Sequence, residues 1–381
     1  MMIEKKSIIN RNFKVKKITL LLVAIFISSL LISGTNIAAV GNLAQDYSER
    51  ERSAQENDEQ ESAYWHNSSL NLDNRDWMSR ISDDKLISEL SIPGTHDTMA
   101  YNPDLKFLNI TRTQTISLEN QLNIGIRYLD IRLTNQSDRF DINHGAIYLG
   151  YNFTDVLETV EEFLNANPSE TIVMRLKQEH SNSSLAEMKN LFDKYFEEYR
   201  DLFWTKDSSN SPSNPSLAEL RGKILVVSEV DSIDFSLRFK DIILQDYFAL
   251  GTVYNITDKW DKVRNHIELS NQDYSNNIYM NHLSATGGAM PYTVASGQII
   301  PDNNTEKLWT GIIRPTKENV DYPYFSKREF LPGLNAFYYR GINELFVDYI
   351  QNNYIENKTG IVIADFPGAA LINSIIEVNF S

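Results

Sequence analysis

His96 and Asp97 stand at the end of the run Leu90-Ser-Ile-Pro-Gly-Thr-His-Asp-Thr98. Proline cannot donate to a sheet ladder, and glycine takes backbone angles that other residues avoid. The spacing therefore predicts a strand that stops at Pro93-Gly94 and presents a titratable pair where it stops. Asp130 and Arg132 lie two apart in the alternating run Arg127-Tyr-Leu-Asp-Ile-Arg-Leu133, so both leave one face of a strand. His144 closes another short run, Phe140-Asp-Ile-Asn-His144-Gly145. Histidine can take and return a proton near neutral pH. An arginine offers a planar fork of donors to the oxygens of a charged phosphoryl group. Two His, two Asp and one Arg near strand ends form a kit for phosphoryl transfer that needs no metal.

Strands and helices alternate around these residues. Apolar patterning predicts strands over residues 86–92, 127–133, 140–143, 170–177, 224–230, 242–247, 277–283 and 360–365. It predicts helices over 117–124 (ended by Gly125), 153–165, 184–204, 258–269, 341–354 and 369–378. In the second, Thr154 serves as N-cap and Val156, Val160, Phe163 and Leu164 share a face. In the third, Leu185, Met188, Leu191, Phe192 and Tyr195 do so. Residues 205–216 read as a polar loop and 284–297 as irregular. Alternation over the whole globular region, without a Gly-x-Gly-x-x-Gly turn, favours an α/β fold of the irregular (β/α)8 TIM-barrel kind in a single domain. In such barrels chemistry gathers at the C-terminal strand ends. His96, His144, Lys177, Asp246 and Asp365 fall at or just beyond such ends, and Asp130 and Arg132 near one.

Composition removes several classes of function. The chain has 381 residues and no cysteine, which excludes thiol nucleophiles, disulfides and thiolate metal sites. Its formal net charge is -15, and the first forty residues hold six of the 36 Lys/Arg but one of the 51 Asp/Glu. The remainder is more acidic still and is a poor partner for nucleic acid. Within residues 1–40, Lys14, Lys16 and Lys17 precede an apolar run and then small residues, the plan of a signal peptide or an N-terminal anchor. Residues 41–64 are charged and polar and read as a disordered linker, with the globular domain over 65–381. Sequons at Asn67, Asn109, Asn135, Asn152 and Asn255 suit an exported chain. The aromatics between Tyr322 and Tyr339 read either as a membrane-dipping loop or as a packed insertion.

Eight segments, in order, resemble the X-domain of phosphatidylinositol-specific phospholipase C in its single-domain bacterial form. They are Ser91-Ile-Pro-Gly-Thr-His-Asp97, Gly125-Ile-Arg-Tyr-Leu-Asp-Ile-Arg-Leu133, Asn143-His-Gly145, Asn167-Pro-Ser-Glu-Thr-Ile-Val-Met-Arg-Leu-Lys177, Arg221-Gly-Lys-Ile-Leu225, Gln245-Asp246, Ser284-Ala-Thr-Gly-Gly288 and Ile363-Ala-Asp365. The resemblance implies that His96 is the general base for the inositol 2-hydroxyl and that Asp365 orients it. It implies that His144, helped by Asp97, is the general acid for the departing diacylglycerol oxygen. It gives Arg132 the charged phosphorane to stabilise, and Asp130 the task of holding the network. Lys177, Asp246 and Phe248 would line the inositol pocket.

The same resemblance implies a secreted or extracellular membrane-associated lyase acting on a membrane phospholipid with an inositol head group. It implies a monomer that uses no cofactor and no metal, since Arg132 stands where calcium-dependent relatives place metal ligands. One departure concerns specificity: Glu229 stands where relatives carry an arginine that contacts the inositol ring, which implies altered head-group tolerance. A glycerophosphodiester phosphodiesterase on the same barrel would need a Glu-x-Asp metal pair, which Asp130-Ile-Arg132 does not supply. A non-catalytic inositol-lipid-binding module would lack one of the two histidines. The other four, His66, His180, His266 and His282, show no metal spacing and read as surface or packing residues.

Overall fold

The computed structural model describes residues 60–104, 108–209, 211–230, 233–297, 326–331, 334–338 and 340–381. The signal or anchor segment, most of the linker, and Tyr322, Tyr324, Phe325 and Tyr339 of the aromatic stretch lie outside the described residues. Among the described residues no helix is long and apolar enough to cross a membrane.

Fourteen strands are described. They are β1 Ile92–Thr95, β2 Tyr128–Asn135, β3 Phe140–His144, β4 Ile147–Asn152, β5 Ile172–Gln178, β6 Ile224–Ser228, β7 Leu237–Arg238 and β8 Ile243–Gln245, followed by β9 Ala249–Leu250, β10 Tyr279–His282, β11 Thr286–Gly287, β12 Ser326–Leu331, β13 Leu334–Tyr338 and β14 Ile361–Ala364. Eight of them form one curled parallel sheet in the order β7-β6-β5-β2-β1-β14-β10-β8. Among the described residues no ladder joins β7 to β8, so the barrel is irregular and open there. Parallel strands buried on both faces read as continuous apolar runs, as Ile-Leu-Val-Val in β6 and Ile-Val-Ile-Ala in β14 do.

The first strand corrects the sequence expectation. It runs through Pro93 and Gly94 instead of stopping before them, and residues 87–89 form a 3-10 turn. Pro93 is tolerated because its carbonyl still accepts the Arg127 N–H at 2.9 Å, while its missing donor falls ahead of β2. Gly94 is required because a Cβ there would sit 2.7 Å from Tyr128 Cβ. A second correction concerns His144. Its strand, β3, is not a barrel stave; it folds back antiparallel along β2 and continues through Gly145 (φ +57°) into β4.

The helices pack outside. Phe153–Ala166 buries Val156, Val160, Phe163 and Leu164 as expected, but its cap is Asn152, whose Oδ1 accepts the Thr154 and Asp155 N–H groups. Leu185–Glu198 is shorter than expected because the chain breaks at Tyr199 and sends Leu202, Phe203 and Trp204 inward separately, and Leu185, expected on the buried face, is exposed at its first turn. The segment expected to be irregular contains the helix Pro291–Ser296. At the N-terminal end of the barrel, Arg127 and Glu170 form a fully buried pair at 2.7 Å. The guanidinium also donates to the carbonyls of Asn74, Arg75, Leu122 and Ile126.

Candidate active site

The C-terminal ends of β1, β2, β5, β10 and β14, with the turn of the β3–β4 hairpin, surround a cavity of about 240 Å³. His96, Arg132, His144, Lys177, Asp246, Phe248 and Asp365 all line it. Asp97 and Asp130 lie buried beneath and touch the lining residues. The nine residues given a catalytic or pocket role from the sequence are therefore brought to one place, while Glu229 is not among those lining the cavity.

His96 follows β1 and Asp365 follows β14. Gln114 Nε2 donates to the carbonyls of His96 (2.9 Å) and Ala364 (3.0 Å), which ties the two strand ends together. His96 Nδ1 lies 2.8 Å from Asp365 Oδ1, and its Nε2 lies 2.7 Å from Arg132 Nη2. A guanidinium has donors only. Nε2 must therefore accept, and the ring is neutral with its proton on Nδ1. Burial first, and the Arg132 charge second, lower the His96 pKa to about 3. The residues immediately after both groups, Asp97 (φ +44°) and Phe366 (φ +47°), sit in the left-handed region. Such strain costs about 1–2 kcal/mol per residue and collects at functional sites.

His144 is held differently. Its Nδ1 is 2.8 Å from the Thr111 carbonyl and 3.0 Å from Asp97 Oδ2, both acceptors. Nδ1 therefore carries a proton, and Nε2 has no protein partner among the described residues. Burial raises the Asp97 pKa against the opposing pull of Arg132 and the two histidines.

Arg132 is clamped between carboxylates. Nη1 is 3.3 Å from Asp97 Oδ2, and Nη2 is 3.2 Å from Asp130 Oδ2. Glu179 lies farther off, at 3.7 Å from Nη1. Burial would lower its pKa, but these three acids outweigh it and raise it. Burial would likewise raise Asp130, yet Arg175 and Arg132 hold that carboxyl well below its usual range. The Asp97 N–H also donates to Asp130 Oδ2 at 3.1 Å.

Sequence reasoning missed Arg175, Glu179 and His282. Arg175 lines the cavity, reaches Asp130 Oδ1 at 3.1 Å, and donates through Nε to Glu229 Oε1 at 2.8 Å. Its signal was present: it lies two residues before Lys177 and so shares that residue's face. Glu229 is accordingly not an isolated carboxylate facing a substrate; it is the partner of Arg175. Glu179 pairs with Lys177 at 3.2 Å. His282 ends β10, meets the His96 ring edge-on with centroids 6.1 Å apart, and has both ring nitrogens buried without a hydrogen-bond partner. Nothing in its spacing marked it, because its partners come from other strands.

A family model described as "Phosphatidylinositol-specific phospholipase C, X domain" matches residues 90–230. A 1-phosphatidylinositol phosphodiesterase of Listeria monocytogenes is 32% identical over 297 residues, spanning 74% of this chain and 83% of the relative. A Staphylococcus aureus protein of the same name is 30% identical over 169 residues, 42% of this chain and 53% of the relative. The solved phosphatidylinositol-specific phospholipase C from Listeria monocytogenes superposes with a TM-score of 0.59 at 28% identity, covering 81% of this chain and 99% of that one. The Staphylococcus aureus phosphatidylinositol-specific phospholipase C shares the fold, with a TM-score of 0.57 at 22% identity over 80% of this chain and 97% of that one.

Proposed function

The chain belongs to the phosphatidylinositol-specific phospholipase C family, and from that premise we propose that its cavity cleaves phosphatidylinositol-type lipids by metal-independent acid–base catalysis. One observation carries the mechanism. Both His96 and His144 have Nδ1 anchored on acceptors, so each directs its chemistry through Nε2, with Arg132 close to the first and sharing Asp97 with the second.

In the free site Arg132 occupies the Nε2 lone pair of His96. An incoming phosphodiester offers Arg132 a better acceptor, and transfer of the guanidinium to phosphoryl oxygen frees Nε2 and restores its basicity. His96 then removes the proton of the ring hydroxyl next to the phosphate, and Asp365 stabilises the imidazolium that forms. The hydroxyl oxygen bonds to phosphorus, and charge grows on the phosphoryl oxygens beside Arg132. His144 Nε2–H gives its proton to the departing glycerol oxygen. The products are a 1,2-cyclic inositol phosphate and a diradylglycerol. Lys177, Asp246 and Phe248 line the place of the inositol ring.

The exposed side chains of Ile110 (52%) and Phe248 (58%) at the mouth, with Met290 (41%) near it, fit entry from a bilayer surface. The basic-apolar-small order of residues 1–40 supports export, so the site would act on lipid outside the cytoplasm. Purified His96→Ala and His144→Ala test the mechanism. Each is expected to lose activity by on the order of a hundredfold or more with the fold intact. Rates near wild type in either folded variant would remove the assignment.

A further inference from the structure

Arg175 carries more hydrogen-bonding capacity than the protein uses. A guanidinium has five N–H donors and no acceptor. Nε and Nη2 both donate to Glu229 Oε1, the first at 2.8 Å, and Nη1 donates to Asp130 Oδ1 at 3.1 Å. One N–H of Nη1 and one of Nη2 therefore meet no protein acceptor among the described residues. The side chain is buried, and the Phe239 ring covers one face of the guanidinium, its centroid 4.5 Å from Cζ. Donors left unmatched in a buried group are costly, and such exceptions call for a reason.

What surrounds the group shows where those two donors are available. Arg175 lines the cavity, whereas Asp130 and Glu229 do not. The edges of the guanidinium that serve these carboxylates are turned away from the cavity, and the unclaimed N–H groups are what Arg175 offers to it. Lys177 leaves the same face of β5 two residues on and lines the cavity as well. Asp246 supplies a carboxylate in the same lining. A ring with several hydroxyls suits this mixture, since each hydroxyl accepts from a cationic donor and donates to a carboxylate.

The proposed acid–base chemistry gives Arg175 no task, because Arg132 serves the phosphoryl group. We propose that Arg175 is a specificity-determining residue that gives its two unclaimed N–H groups to hydroxyls of the inositol ring, while Glu229 and Asp130 fix the plane of its guanidinium. A planar fork oriented in advance loses little freedom when it binds. Glu229 thus serves the head group through Arg175. The inference rests on the reading of the cavity as an inositol-lipid site. The competing role is purely structural: a bridge that ties β2 to the end of β6 through Asp130 and Glu229 and never meets the substrate.

The test compares substrates, because both roles slow the enzyme when Arg175 is lost. We would measure kcat/KM for phosphatidylinositol and for analogues that each lack one ring hydroxyl other than the nucleophile, in the wild type and in Arg175→Met. The wild type is expected to prefer the parent lipid over at least one analogue by roughly tenfold or more. In Arg175→Met that ratio should fall towards one, since the hydroxyl has lost its donor. Loosening of Asp130 alone would slow every substrate alike and leave the ratio where it was. The double variant Arg175→Met with Glu229→Gln repeats the comparison without a stranded carboxylate. A folded, active variant that keeps every wild-type ratio would overturn the proposal. Should neither variant fold or turn over, the side-chain N–H resonances of wild-type Arg175 are followed by 15N NMR as myo-inositol is added. They are expected to shift and saturate, and resonances that do not move would equally overturn it. Absence of turnover in the wild type would sink the catalytic reading instead, and the same titration would still decide the role of Arg175.

Discussion

Asp130 and Arg175 stand opposite one another in the parallel ladder between β2 and β5, and Arg175 Nη1 meets Asp130 Oδ1 at 3.1 Å. Two residues further along, Arg132 stands opposite Lys177. Because side chains alternate along a strand, this register places all four on one face. Asp130 thus carries Arg175 on one oxygen and Arg132 on the other. Asp130→Asn is expected to loosen both guanidiniums and to lower kcat by roughly a hundredfold. Steady-state kinetics on a variant with a native circular dichroism spectrum checks it, and an unchanged kcat contradicts it.

The Glu229–Arg175 pair changes what substitution at 229 should do. Sequence resemblance alone suggests that Glu229→Arg would supply a missing ring contact. In the structure it would set two guanidiniums side by side and release Arg175 from its orientation. We expect Glu229→Arg to lower kcat/KM on phosphatidylinositol without widening use of its monophosphate. A gain on either lipid would show that Glu229 faces the head group instead.

Arg127 and Glu170 test the other end of the barrel. Removing one partner strands the other charge in the interior, at a cost of about 3–5 kcal/mol. Urea denaturation of Arg127→Ala should register that loss. The pair lies at the N-terminal end of β2, away from the cavity, so kcat should hold under conditions where the variant is folded.

Stability should fall as the solution is acidified below neutrality. Burial lowers His282 to about 3 and His266 to about 4, from the ordinary value of 6.5. Below pH 6.5 the unfolded chain binds these protons and the folded chain does not, so stability is lost as the pH falls towards 4 and 3. His266→Asn should shallow the slope of unfolding free energy between pH 7 and 5. An identical slope would mean that His266 is not buried as a neutral ring.

Much of this was legible in the sequence because it depends on local pattern. The two-residue alternation put Asp130 and Arg132 together, the run ending at Asp365 marked the last strand end, and Gly125 (φ +113°) ended a helix where expected. What was hidden depends on register and on neighbours distant in the chain. Pro93 and Gly94 read as a stop, yet β14 and β2 carry them as strand interior. His144 read as another barrel strand end, although only the antiparallel pairing of β3 brings it to Asp97. Arg175 lay inside a recognised segment, but its meaning came from Asp130 and Glu229 on the flanking strands. His282 became visible only once β10 had been placed against the site.

We propose that His96, Arg132 and His144 carry out intramolecular phosphoryl transfer without a metal, and phosphorus NMR of the wild-type enzyme acting on phosphatidylinositol in the presence of a chelator is the decisive measurement. The expected first product is the resonance of a five-membered cyclic inositol phosphate, formed at a rate the chelator does not change and lost in His96→Ala and His144→Ala. An acyclic phosphomonoester appearing first, or turnover that the chelator abolishes and a divalent cation restores, would contradict it.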